Sequence, residues 1–82
     1  MMNARNAVII YLRQKIDGPT LDRQVERVML HPEVRQGVVY WMQIVMQSLD
    51  IERLGAVTDE HFGRVDEFAE EILDELVSQK SR

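Results

Sequence analysis

At 82 residues, with no cysteine and a net charge of −4, the chain has room for one core and no thiol chemistry. That excludes disulfide scaffolds, thiolate zinc sites and cysteine nucleophiles, and packing alone must hold a single helical domain over residues 1–82 together. Apolar residues at 45% and charged residues at 29% give the balance of a globular chain rather than a disordered one.

An all-α fold is expected, a compact bundle of four helices over about residues 3–17, 20–30, 32–50 and 59–79, with an apolar third helix at its centre. Asn3 or Asn6 can cap the first helix, and Asp17-Gly18-Pro19 reads as its stop signal. Its β-branched run, Val8-Ile9-Ile10-Tyr11, has no second strand-like run to pair with, so helix is the better reading. Thr20 is expected to cap a short second helix with Leu21, Val25, Val28 and Met29 on one face. His31-Pro32 punctuates the chain, and Pro32 suits the first turn of a third helix running to Leu49 or on to Leu54, closed by Gly55. Thr58 then caps a fourth helix.

The third helix is apolar nearly all round. Val34, Val38, Trp41, Val45 and Leu49 form one stripe, Val39, Met42 and Met46 a second, and Tyr40 with Ile44 widens the coverage. Only Gln36, Gln43 and Gln47 are left as a narrow polar strip. Such a helix is buried on most sides. Either it is the core helix of this domain, or part of it pairs with another chain through Tyr40, Trp41, Met42 and Met46, since aromatic residues and methionine are enriched at interfaces. A homodimer is the natural form of that second reading. Gly37 would allow a close helix crossing there, or is simply tolerated.

The fourth helix divides in two. Phe62, Val65, Phe68, Ala69, Ile72, Leu73, Leu76 and Val77 share one half, and Asp66, Glu67, Glu70, Glu71, Asp74 and Glu75 the other. No base follows any of these acids at i+4, and the like-charge pairs at that spacing each cost about 0.2–0.5 kcal/mol. The later acids also stand toward the end of the helix that prefers cations. Charge is uneven along the whole chain. Residues 1–49 hold six bases and four acids, and residues 50–82 hold four bases and ten acids. One reading is a solvated acidic face balanced across the bundle by Arg13, Lys15, Arg23 or Arg27. The other is a surface for a basic partner, with six carboxylates along about 14 Å of helix approaching the charge density of duplex DNA. Broken local rules tend to mark functional positions.

Catalytic chemistry finds no footing. The serines, Ser48, Ser78 and Ser81, lie beside no base in a sharp turn, and the glycines form no phosphate-cradling loop. His31 reads as a turn residue. His61 with Asp59 and Glu60 is a weak metal signal without a second ligand cluster. No enzyme activity, metal or cofactor is expected. Helix two, the His31-Pro32 turn and helix three imitate a helix-turn-helix with Arg23, Arg27 and Arg35 toward phosphates. However, the recognition positions offer Val, Tyr, Trp and Met, and the chain is acidic. Direct nucleic-acid binding is the weakest of the three binding readings.

The charge-free stretch 36–49 is too short to span a bilayer, and the apolar run 7–12 is too short for a signal peptide, so a cytoplasmic location is expected. No motif set matches a family. The leading expectation is a non-enzymatic regulator or inhibitor whose acidic face, Asp66 to Glu75, meets a basic protein surface, including one that serves a nucleic-acid-binding complex. By analogy of size and charge alone, phage and plasmid accessory proteins, anti-CRISPR proteins among them, are the comparison class. The alternatives are a homodimeric structural or assembly subunit, or a chaperone, pairing through helix three, and a helix-turn-helix-like DNA-binding regulator.

Overall fold

A computed structural model describes residues 2–82, which form five α-helices and two 3₁₀ turns with no strand among them. They are α1 (Ala4–Lys15), α2 (Gly18–Leu30), α3 (Arg35–Ser48), α4 (Asp59–Gly63) and α5 (Val65–Ser81), with 3₁₀ turns at Pro32–Val34 and Ile51–Arg53. The all-α bundle expected from the sequence is the fold. Its extents are 33 × 22 × 22 Å.

Local chemistry sets the helix starts. Asn3 caps α1, its side chain accepting the Asn6 N–H at 2.8 Å. The cap of α2 is Asp17 rather than Thr20. Its carboxylate accepts the Thr20 N–H at 2.7 Å, and Gly18 and Pro19 lie inside the first turn, where a missing proline N–H costs nothing. The expected stop signal is therefore a start signal, and only Ile16 and Asp17 separate the two helices. Pro32 likewise opens a 3₁₀ turn that leads into α3. That helix ends at Ser48, before Gly55, because Asp50 takes the left-handed conformation (φ 53°) that Asp tolerates better than most side chains. The Tyr11 hydroxyl donates to the Leu49 carbonyl at 2.9 Å and satisfies an end of α3 from α1.

The fourth expected helix is two. Arg64 leaves helical geometry (φ −135°, ψ 50°) after the weak helix former Gly63, so α4 meets α5 at an elbow. The apolar stripe of α5 begins beyond it, and Phe62 stands apart from that stripe, 37% exposed, while Phe68 is 1% exposed.

Every other helix packs against α5, with the α3–α5 interface the most extensive. Phe68, Ala69, Ile72, Leu73 and Leu76 of α5 are buried against Val8, Ile9 and Leu12 of α1, Leu21, Val25 and Val28 of α2, and Val38, Val39, Met42 and Met46 of α3. The centre thus belongs to α5. Four short partners cover it, which α3 does not enjoy: Tyr40 (65% exposed) and Ile44 (45%) face outward, and Trp41 and Val45 are half-buried at the core's edge. Each large side chain taken fully from water contributes about 1.5–3 kcal/mol, and no buried side-chain polar atom lacks a partner among the described residues.

Candidate protein-binding surfaces

The six carboxylates of α5 fall into two groups. Arg35, half-buried on α3, reaches across to both Asp74 (2.8 Å) and Glu70 (3.4 Å). Arg64 at the elbow pairs with Glu71 at 3.2 Å, and Arg82 pairs with Glu75 at 3.3 Å. Four of the six acids therefore have a base from within the chain, Glu75 with its side chain only 12% exposed. None of these bases is among the four proposed from the sequence. Arg13 instead donates to Gln79, Arg27 to Gln24, and Lys15 lies 5.5 Å from the centre of the Tyr11 ring. Lys80 turns from α5 to Glu26 (3.2 Å) and Asp22 (4.0 Å) on α2. These pairs are largely solvated, so each contributes about 0–1 kcal/mol. Their effect is to balance the like-charge spacing of α5.

Asp66 and Glu67 take part in no ion pair among the described residues. Asp66 accepts the Glu67 N–H at 2.9 Å, and both sit in the first turn of α5, where the helix dipole favours anions. The same holds one helix earlier. Asp59 and Glu60 occupy the first turn of α4 and are likewise without an ion pair among the described residues. Between the two turns stands exposed Phe62. Sequence periodicity placed Phe62 in the core and overlooked Asp59 and Glu60 as surface. The Gly63-Arg64 pair was the available signal, a poor helix former beside a long side chain able to reach Glu71.

The apolar candidates separate as well. Met42 (1% exposed) and Met46 (0%) are core residues and present nothing to another chain; inward-facing positions of α3 are used up by α5. Tyr40 is exposed and Trp41 half-buried, and Ile44 joins Tyr40 one turn on. Gly37 lies on the same outer face with open space where a Cβ would stand, so no crossing within the chain requires it.

Two shallow cavities border α1. One, of about 230 Å³, is lined by Asn3, Ala4, Arg5, His61, Phe68 and Glu71. The other, of about 300 Å³, includes Met2, Ile9, Ile10, Glu75 and Arg82. Neither brings a nucleophile to a base. No three His, Cys, Asp or Glu side chains converge as metal ligands would among the described residues. The Ser48 and Ser81 hydroxyls donate to carbonyls four residues back, at 2.9 and 3.0 Å. Arg35, one of the phosphate-facing set in the helix-turn-helix reading, is held by Glu70 and Asp74. No helix among the described residues is long and apolar enough to cross a membrane.

Compared with protein-family models, with curated proteins and with solved structures, the chain matches none of them.

Proposed function

We propose that this chain is a non-enzymatic protein-binding domain, a regulator or inhibitor that occupies a basic surface on its partner. The contact is centred on the α4–α5 elbow, with Phe62 as the apolar anchor and Asp59, Glu60, Asp66 and Glu67 as the surrounding charges. The observation that supports this is the division of the carboxylates: those from Glu70 onward are matched by bases of the same chain, whereas those at the elbow have no ion pair among the described residues. An aromatic side chain flanked along the chain by unmatched carboxylates has the composition of an interface hot spot with a steering rim. Glu70, Glu71, Asp74 and Glu75 lie behind it on α5, largely balanced by Arg35, Arg64 and Arg82, so the open acidic field is that of the elbow. A surface that otherwise holds nucleic acid is the class of partner such a field suits.

The test is affinity capture from nuclease-treated lysate with two folded variants. One neutralises the elbow (Asp59→Asn, Glu60→Gln, Asp66→Asn, Glu67→Gln), and the other neutralises Glu70 and Asp74. A protein retained by the native chain and the second variant, lost by the first, and eluted by modest salt is the expected result. Equal recovery on all three chains overturns the elbow contact.

A second reading is favoured by Tyr40 and Ile44, exposed one turn apart on a helix with no charge from residue 36 to residue 48. A structural subunit or chaperone pairing through this face gives a dimeric mass by sedimentation, split by Tyr40→Lys. A monomer at micromolar concentration ends that reading.

A further inference from the structure

We propose that the fold contains an acid-sensitive hinge beneath the elbow, controlled by the proton on His61. An ordinary capping box places Glu or Gln at the third helical position, where the side chain reaches back to the N-cap amide. In α4 that position is His61. Its Nδ1 accepts the Thr58 backbone N–H at 3.0 Å and lies 3.1 Å from the Thr58 hydroxyl. A carboxylate or amide oxygen accepts across the physiological range, but an imidazole nitrogen accepts only while it carries no proton. Protonation turns Nδ1 into a donor, which the Thr58 hydroxyl oxygen can accept but the Thr58 amide cannot, so the half of the capping box that holds that amide is lost.

The ring is also a packing element. It lies 4.7 Å from the Phe68 ring, centre to centre, at 44°, so the same side chain that caps α4 joins it to the first buried residue of α5. The charged groups around it come from three helices. Asp59 and Glu60 precede it on α4. From α1, Arg5 shares its cavity wall, and from α5, Glu71 does so while paired to Arg64. With only five residues, α4 has few hydrogen bonds of its own to survive without a cap. Acid therefore releases the segment carrying Asp59, Glu60 and Phe62 while the core on α5 stays closed. The use of the hinge rests on the elbow being the contact surface; its chemistry does not.

The experiment is nuclear magnetic resonance of the full chain at about pH 8 and about pH 5, either side of the ordinary imidazole value of about 6.5. At the higher pH the imidazole ¹⁵N shifts should report a proton on Nε2 and an accepting Nδ1. At the lower pH the Thr58 amide, corrected for intrinsic exchange, should lose protection about fivefold or more, the scale of a lost cap, with α5 amides unchanged. His61→Gln should keep that protection at both pH values, and His61→Ala should lack it at both. A proton on Nδ1 at about pH 8, or the same acid-induced loss in His61→Gln, overturns the proposal. No partner enters this measurement, so its failure leaves the elbow contact standing and a failed capture leaves the hinge standing.

Discussion

The first turn of α5 and the turns that follow it carry the same carboxylates under different constraint. From Glu70 onward the acids are held by Arg35, Arg64 and Arg82, and they link α5 to α3, to the elbow and to its own last turn. In the first turn, Asp66 accepts the Glu67 N–H, and neither it nor Glu67 has an ion pair among the described residues, which leaves them to the helix dipole and solvent. The lesson is that charge density along a helix does not identify the free charge. That depends on where the rest of the chain brings its bases, and here it leaves the N-terminal edge open.

The sharpest way to test the contrast uses the two phenylalanines on either side of the elbow. Phe68→Ala removes a fully buried ring at the junction of the core and should cost about 3–5 kcal/mol in denaturant unfolding. Phe62→Ala, on the open side and 37% exposed, should cost less, about 1–2 kcal/mol, while weakening partner capture. Comparable losses of stability from both would merge the two regions.

Reversal of charge separates them next. Glu70→Lys with Asp74→Lys sets two cations against Arg35 and should cost about 1–2 kcal/mol, reduced by salt. Asp66→Asn with Glu67→Gln removes only a dipole interaction and should cost less than about 1 kcal/mol. Thermal melts at low and high ionic strength read both. If the first pair is the milder, the bases are not holding α5.

The apolar counterpart on α3 has a smaller and opposite effect. Gly37→Ala adds a Cβ into open space within a helix and should stabilise the monomer by about 0.5–1 kcal/mol. Loss of a dimeric species in the same variant would place a second copy on that face, and stabilisation alone would leave it solvated.

The mildest prediction concerns Asp17, a carboxylate that, like Asp66, serves a helix start. Hydrogen bonding from the Thr20 side chain and backbone, with Arg23 nearby, holds its carboxyl below the ordinary 3.8. A lowered folded-state value means its contribution is complete above 3.8 and is lost as pH falls through that lower value. Asn at position 17 keeps a cap without a titrating group, so Asp17→Asn should flatten stability in this acid window relative to the parent.

Periodicity carried most of the fold. Leu21, Val25 and Val28 of α2, Phe68, Ala69, Ile72, Leu73 and Leu76 of α5 and the Met42 and Met46 line of α3 are core residues because burial repeats with the helical turn, which neighbours in sequence reveal. Met29, expected on the α2 stripe, is instead 40% exposed at its edge. The misread points depend on local geometry or on distant partners. Asp17-Gly18-Pro19 has the residues of a stop and of a start, and only the carboxylate's bond to Thr20 decides between them. Asp50 ends α3 because its left-handed backbone is supported by the surrounding turn. At the candidate surface, the acids were legible as a group, but the Arg35 bridge spans more than thirty residues of sequence and follows from no spacing rule. Tyr40 and Ile44 could not be told from core on an almost uniformly apolar helix.

The position of α5 has a consequence for synthesis. Because α1, α2, α3 and α4 all pack on it, the apolar faces of the earlier helices have no common partner until the last helix is made. At about 5–20 residues per second, the stretch from the end of α3 to the end of α5 takes a few seconds to translate. Until α5 is in place Leu12, Leu21 and Met46 lack the side chains of that helix that cover them, and Arg13 waits on Gln79, 66 positions downstream. A core that joins all the helices therefore needs α5, and truncation within α5 should leave helical segments without it.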